Sequence, residues 1–114
     1  MNDDDIGETF DRPNVVEVRR LVRECDFQLQ GLSPRIRLRL YEVIGKPGVS
    51  FEQSHYIKTP TQLGPHITSR PWADDESWAL RLVIASMSEY HAAAIKAGHQ
   101  PDDSWLVVND SFEK

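Results

Sequence analysis

A chain of 114 residues has the length of one domain, with room for a single hydrophobic core. Hydrophobic residues at 39% and charged residues at 27% suit an ordinary globule, and no run of about 18 apolar residues offers a membrane span. A lone cysteine excludes an intramolecular disulfide or a cysteine-based metal cluster, and a net charge of −5 argues against general binding to nucleic acid or anionic membrane.

Residues 1–12 read as an acidic flexible tail, in which Asp3, Asp4, Asp5, Glu8 and Asp11 outweigh the apolar Ile6 and Phe10. An acidic start, where a leader would be basic and then apolar, predicts a cytoplasmic protein. One α+β domain is expected over residues 13–109, followed by a second tail over 110–114. Within the domain, Val15, Val18, Val22 and Cys25 recur at helical spacing and Pro13 suits a first turn, which favours a short N-terminal helix. The same valines fit a strand. On a helix, Arg19, Arg20 and Arg23 would take the solvent side. Cys25 ends the apolar stripe with no activating base beside it, as a small buried hydrophobe does.

From Asp26 the period changes to two. Phe27 and Leu29 alternate with Gln28 and Gln30, and Gly31-Leu32-Ser33-Pro34 makes a connection. Arg35 to Ile44 is the cleanest strand: Ile36, Leu38 and Leu40 point one way, while Arg35, Arg37, Arg39 and Tyr41 point the other. After a turn at Gly45-Lys46-Pro47-Gly48, Val49 to Lys58 pairs back, with Val49, Phe51 and Ile57 inward and Glu52, Ser54, Tyr56 and Lys58 outward. The expected fold is therefore an antiparallel meander of three to four strands, with one long helix of the C-terminal half packed on its apolar face.

Thr59 to Trp72 is broken by Pro60, Gly64, Pro65 and Pro71, and loops of this length are often functional. His66, Arg70 and Trp72 make it a candidate small-ligand pocket; the same loop also suits a plain crossing of the sheet end, held down by Leu63, Ile67 and Trp72. The long helix follows, between the acids Asp74-Asp75-Glu76 and the cap Gly98. Leu80, Val83, Ile84, Met87, Tyr90, His91, Ala94 and Ile95 fall on one broad face. Trp78 and Leu82, spaced i, i+4 on the other side, suggest a second apolar seam through which a homodimer or another partner could pack. Ser104 to Val108 reads as a short strand that adds to the sheet.

Chemical motifs are lacking. His55, His66, His91 and His99 have no zinc-site spacing, and no phosphate loop, dinucleotide fingerprint or nucleophile elbow occurs. No cofactor, metal or catalytic residue is assigned, and an enzyme is not expected. The acids concentrate at the two ends and at residues 74–76, leaving Arg12 to Arg70 basic on balance. Arg35, Arg37, Arg39 and Tyr41, with Tyr56 and Lys58 beside them, would form an arginine–tyrosine face on the open side of the sheet. Guanidinium planes and tyrosine rings on such a face suit an acidic protein partner or single-stranded nucleic acid. Cross-strand pairing of Arg37 or Arg39 with Glu52 would instead make it an ordinary polar surface. The expected function is that of a small, non-enzymatic interaction protein, with nucleic-acid binding as the alternative that net charge disfavours.

Overall fold

The computed structural model describes residues 12–68 and 70–112. The expected tail at residues 1–12 lies, but for Arg12, outside them. In chain order the elements are β1 (Arg19–Phe27), β2 (Ile36–Val43), β3 (Val49–Gln53), β4 (His55–Ile57), β5 (Trp72–Ala73), the helix α1 (Glu76–Lys96), a 3-10 turn (Asp103–Trp105) and β6 (Leu106–Val108). The fold is α+β: a four-stranded antiparallel sheet in the order β1-β2-β3-β5 and one long helix in the C-terminal half.

The alternation of β2 sets the facing. Ile36, Leu38 and Leu40 have no solvent exposure, and Phe51 on β3 lies opposite Leu40 in the same core. Burying each such side chain contributes about 1.5–3 kcal/mol, so this one face dominates stability. The arginine side of β2 is the open side. Ala79, Val83, Met87, His91 and Ala94 are the buried positions of α1, which packs against β3, β4 and β5. Fully buried Ala79 and Ala94 let its backbone approach closely.

Caps at both ends fix the helix length. Asp75 accepts a hydrogen bond from the Trp78 N–H at 2.7 Å, satisfying one of the free donors of the first turn. At the other end Gly98 adopts φ +94°, and His99 N–H returns to the Ala94 carbonyl at 3.0 Å. Only glycine takes that left-handed conformation without steric cost, and it closes the helix by a Schellman turn.

Residues 13–25 do not form the expected helix. Arg19 to Phe27 is a nine-residue strand paired along β2, with Cys25 opposite Leu38 and Phe27 opposite Ile36. The register shifts between Leu21 and Arg23, so Val22 is an extra residue. That bulge resets which side faces inward: Arg20 and Arg23 both lie on the helix side, Leu21 and Glu24 on the open side. Of the stripe that suggested a helix, Val15 and Val18 precede the strand, Val22 is the extra residue, and Cys25 alone is paired.

The segment Val49 to Lys58 also differs from expectation, being two strands rather than one. It breaks at Ser54, whose backbone N–H still reaches the Arg37 carbonyl at 2.9 Å, and β4 then leaves the main sheet. It pairs instead with β6 in a separate two-stranded sheet, with Tyr56 opposite Val107 and Ile57 opposite Leu106. The strand expected over Ser104 to Val108 begins only at Leu106, and it does not extend the main sheet. The buried face of α1 is rolled as well. Leu82, expected on the outer seam, packs against the core with Leu80 and Tyr90, while Ile84 and Ile95 emerge 36% and 42% exposed.

Candidate interaction surface

The open face of the sheet gathers the expected arginines, but it delivers counter-charges with them. Glu24 lies opposite Arg39 and Asp26 opposite Arg37, because the bulge at Val22 turns both acids outward. Glu24 accepts from Arg37 at 2.5 Å and lies 3.5 Å from Arg39 Nε. Arg35 donates to Asp26 at 2.6 Å and to the Gln28 side chain at 3.0 Å. Arg19 pairs with Glu52 at 2.7 Å and places its guanidinium 3.8 Å from the centre of the Tyr41 ring. The hydrogen bond from Arg37, aided by the charge of Arg39, holds the Glu24 carboxyl below its ordinary range.

A second feature covers part of this face. The expected tail over 110–114 includes Phe112, yet Phe112 is 8% exposed, with the Arg39 and Arg37 guanidiniums 4.4 and 5.7 Å from its ring centre. Asn109 anchors the segment by donating from its backbone to the Ser54 carbonyl at 2.8 Å and from its side chain to the Gln53 carbonyl at 2.9 Å. Tyr56 belongs to β4, and Lys58 follows it with its N–H on the Trp105 carbonyl. The break at Ser54 thus places Tyr56 on a different sheet from Arg37, Arg39 and Tyr41, with Lys58 just beyond it.

The other candidates are dispersed. Trp78 is 47% exposed with the Arg81 guanidinium 5.8 Å from its ring, so the expected Trp78/Leu82 seam is reduced to one aromatic at the surface. His66 sits instead against Tyr90 of the helix, their rings 5.1 Å apart and tilted by 44°. Trp72 covers Gly48 instead and donates its indole N–H to the Pro47 carbonyl at 3.0 Å. Arg70 stays beside it, its carbonyl accepting from Trp72 N–H. The connecting loop is pinned by Gln62, which accepts from Thr59 N–H and donates to the Ile57 carbonyl. His91 is a structural residue, hydrogen-bonded to the Gln30 carbonyl at 2.8 Å and edge-on to Trp105. Among the described residues no group of His, Cys, Asp or Glu could hold a metal ion, and no helix is long and apolar enough to cross a membrane.

The surface that the sequence reading missed is the edge of β1. Among the described residues this strand has one neighbour, β2, so alternate residues turn their N–H and C=O groups outward. Its inner side is incompletely roofed. Two ties set α1 alongside it: Arg23 donates to Glu76 at 2.8 Å near one end, and His91 meets Gln30 O at the other. At 100° per residue Leu80 and Ile84 lie on the His91 flank of the helix, towards β1. Half-buried Cys25 and Phe27 lie on the inner side of the strand and pack against the core. Burial pushes the Cys25 thiol above its ordinary pKa, so it is a poor nucleophile. The signal available beforehand was the alternation Arg23-Glu24-Cys25-Asp26-Phe27, which the bulge interrupts on its N-terminal side.

No family model matches the chain, and neither a curated protein nor a solved structure matches it at a significant level.

Proposed function

We propose that this protein is a non-enzymatic protein-interaction module that accepts an extended segment of its partner along β1. One observation carries the reading: a nine-residue strand with a single described neighbour, whose inner face the helix roofs only in part. Strand addition would satisfy the outward backbone groups of β1 and cover Cys25, Phe27, Leu80 and Ile84 in one step. Its charges and the bulge at Val22 discourage indiscriminate edge pairing, so the partner must be matched to them. On the open side Glu24 and Asp26 present carboxylates, each able to accept further donors. The complementary segment alternates apolar residues, which enter the groove, with basic residues, which oppose those acids. A net charge of −5 draws a basic partner in the same direction.

Nucleic-acid binding through the arginine–tyrosine face has weaker support. Arg35 and Arg37 are engaged by Asp26 and Glu24, Tyr41 is stacked by Arg19, and Phe112 occupies a position where a base would stack.

Affinity capture from the native host, with the wild-type chain and with Ile84→Glu, tests the proposal when followed by amide hydrogen exchange on the reconstituted complex. A basic partner lost with Ile84→Glu, together with new protection across residues 19–27, is the expected outcome. A partner that Ile84→Glu retains, with protection elsewhere, refutes docking along β1. Turnover by the purified chain that disappears on changing His66 or His91 refutes the non-enzymatic reading.

A further inference from the structure

Where β2 begins, a cleft of about 230 Å³ opens between the main sheet and the β4–β6 pair. Arg35, Arg37, His55, Val108, Asn109 and Phe112 line it, together with the buried Ser54. Its polar groups have a definite polarity. Ser54 Oγ accepts from the Arg37 backbone N–H at 2.8 Å and lies 2.8 Å from His55 Nδ1. A buried hydroxyl proton needs an acceptor, and among the described residues the one in range is that Nδ1. Ser54 therefore donates to His55, which leaves the imidazole proton on Nε2. Burial lowers the His55 pKa and keeps the ring neutral in that tautomer. Asn109 is held in place by its other contacts, one amide N–H on Gln53 O and its oxygen accepting from Ser111 N–H. What remains for a guest is a set of donors: the guanidinium N–H groups that Asp26 and Glu24 leave unused, and His55 Nε2–H. Val108 and Phe112 add an apolar wall. Glu24 and Asp26 hold the two arginines from the β1 side, and neither lines the cleft.

We infer that this cleft binds a small organic monocarboxylate, its two oxygens on Arg37 and His55 and its apolar body against Phe112 and Val108. A guanidinium N–H and an imidazole N–H side by side offer a carboxylate one donor for each oxygen, the first of them charge-assisted. A dianion such as phosphate would meet the repulsion of the nearby Glu24 and Asp26, so a single charge is favoured. The volume falls below the range of about 300–1,000 Å³ usual for larger ligands, which restricts the guest to roughly the size of an aryl acid. This inference stands apart from docking along β1 and survives if that docking fails.

The test is a ¹⁵N-resolved titration of the full chain with phenylacetate, its neutral analogue phenylacetamide, and inorganic phosphate. Phenylacetate is expected to shift the amides of Arg37, Ser54, His55 and Phe112 saturably. Phenylacetamide, which forfeits a charge-assisted contact, and phosphate, which meets the repulsion of Glu24 and Asp26 and lacks an apolar body, are each expected to bind at least about tenfold more weakly. Arg37→Gln should weaken phenylacetate by a similar factor while the amides of α1 keep their positions. Absence of a saturable shift with phenylacetate overturns the inference. So does equal binding of phenylacetamide, which would make the site merely apolar, or of phosphate, which would make it a general anion site.

Discussion

Truncating Met87 and Ile84 to alanine, one at a time, measures the roll of α1 on which the β1 groove depends. Both are large apolar residues of the same helix, three positions apart, and a simple helical period places them on one buried face. In the structure Met87 is 1% exposed, set among the core residues, with the Gln53 side-chain amide 3.7 Å from its sulfur. Ile84 is 36% exposed on the His91 flank of the helix. Met87→Ala removes buried atoms and leaves a cavity, at a cost of about 2–5 kcal/mol. Ile84→Ala removes atoms that are only partly buried, and alanine is the better helix former, so its cost is smaller, about 1–2 kcal/mol. Urea denaturation followed by circular dichroism resolves such a gap, and a difference of about 2 kcal/mol also separates the melting temperatures by roughly 8 °C. Equal destabilisation by the two variants would refute the reasoning. It would place Ile84 in the core, close the groove beside β1 and remove the principal support for strand docking.

Three further outcomes follow from the same geometry. Because Glu24 has a lowered folded pKa, caused first by the hydrogen bond from Arg37, its contribution is complete above the ordinary glutamate range and fades as pH falls through the folded value. Glu24→Gln should therefore flatten the stability profile on the acid side of about pH 4.5 while sparing its neutral limb, as pH-dependent melting would record; an unchanged acid limb contradicts the pairing. Gly48 has φ +78°, and a Cβ there would lie 2.4 Å from the Trp72 ring, so Gly48→Ala should cost more than the 1–2 kcal/mol or so of a left-handed alanine and should shift Trp72 fluorescence. Cys25 should react with Ellman's reagent more slowly than a free thiol at neutral pH, since burial suppresses its thiolate; reaction at the rate of a free thiol would place it outside the groove.

Legibility in the sequence tracked the range of the interactions involved. Strict alternation in Ile36-Arg37-Leu38-Arg39-Leu40 gave the facing of β2, because a strand's two sides are set by its own backbone. The acids Asp74-Asp75-Glu76 and Gly98 marked the helix ends, since dipole and cap effects act within a few residues. The bulge at Val22 was hidden: an extra residue is tolerated there because β2 supplies a partner on either side of it, and nothing local announces it. The break at Ser54 was hidden for a similar reason, since Arg37 and Asn109 hold that backbone from positions far along the chain.

The sequence by itself determined the class of fold, the apolar side of the central strand, and the limits of the long helix. Each of these follows from backbone geometry and neighbouring side chains. Only the tertiary structure decided that the arginines would face carboxylates of β1, that Phe112 would fold back over them, and that α1 would roll towards Ala79 and Leu82. Hydrophobicity ranks isoleucine above alanine as a core residue. Close approach of a helix to a sheet instead favours the smaller side chain, and that choice left Ile84 at the rim of an open edge.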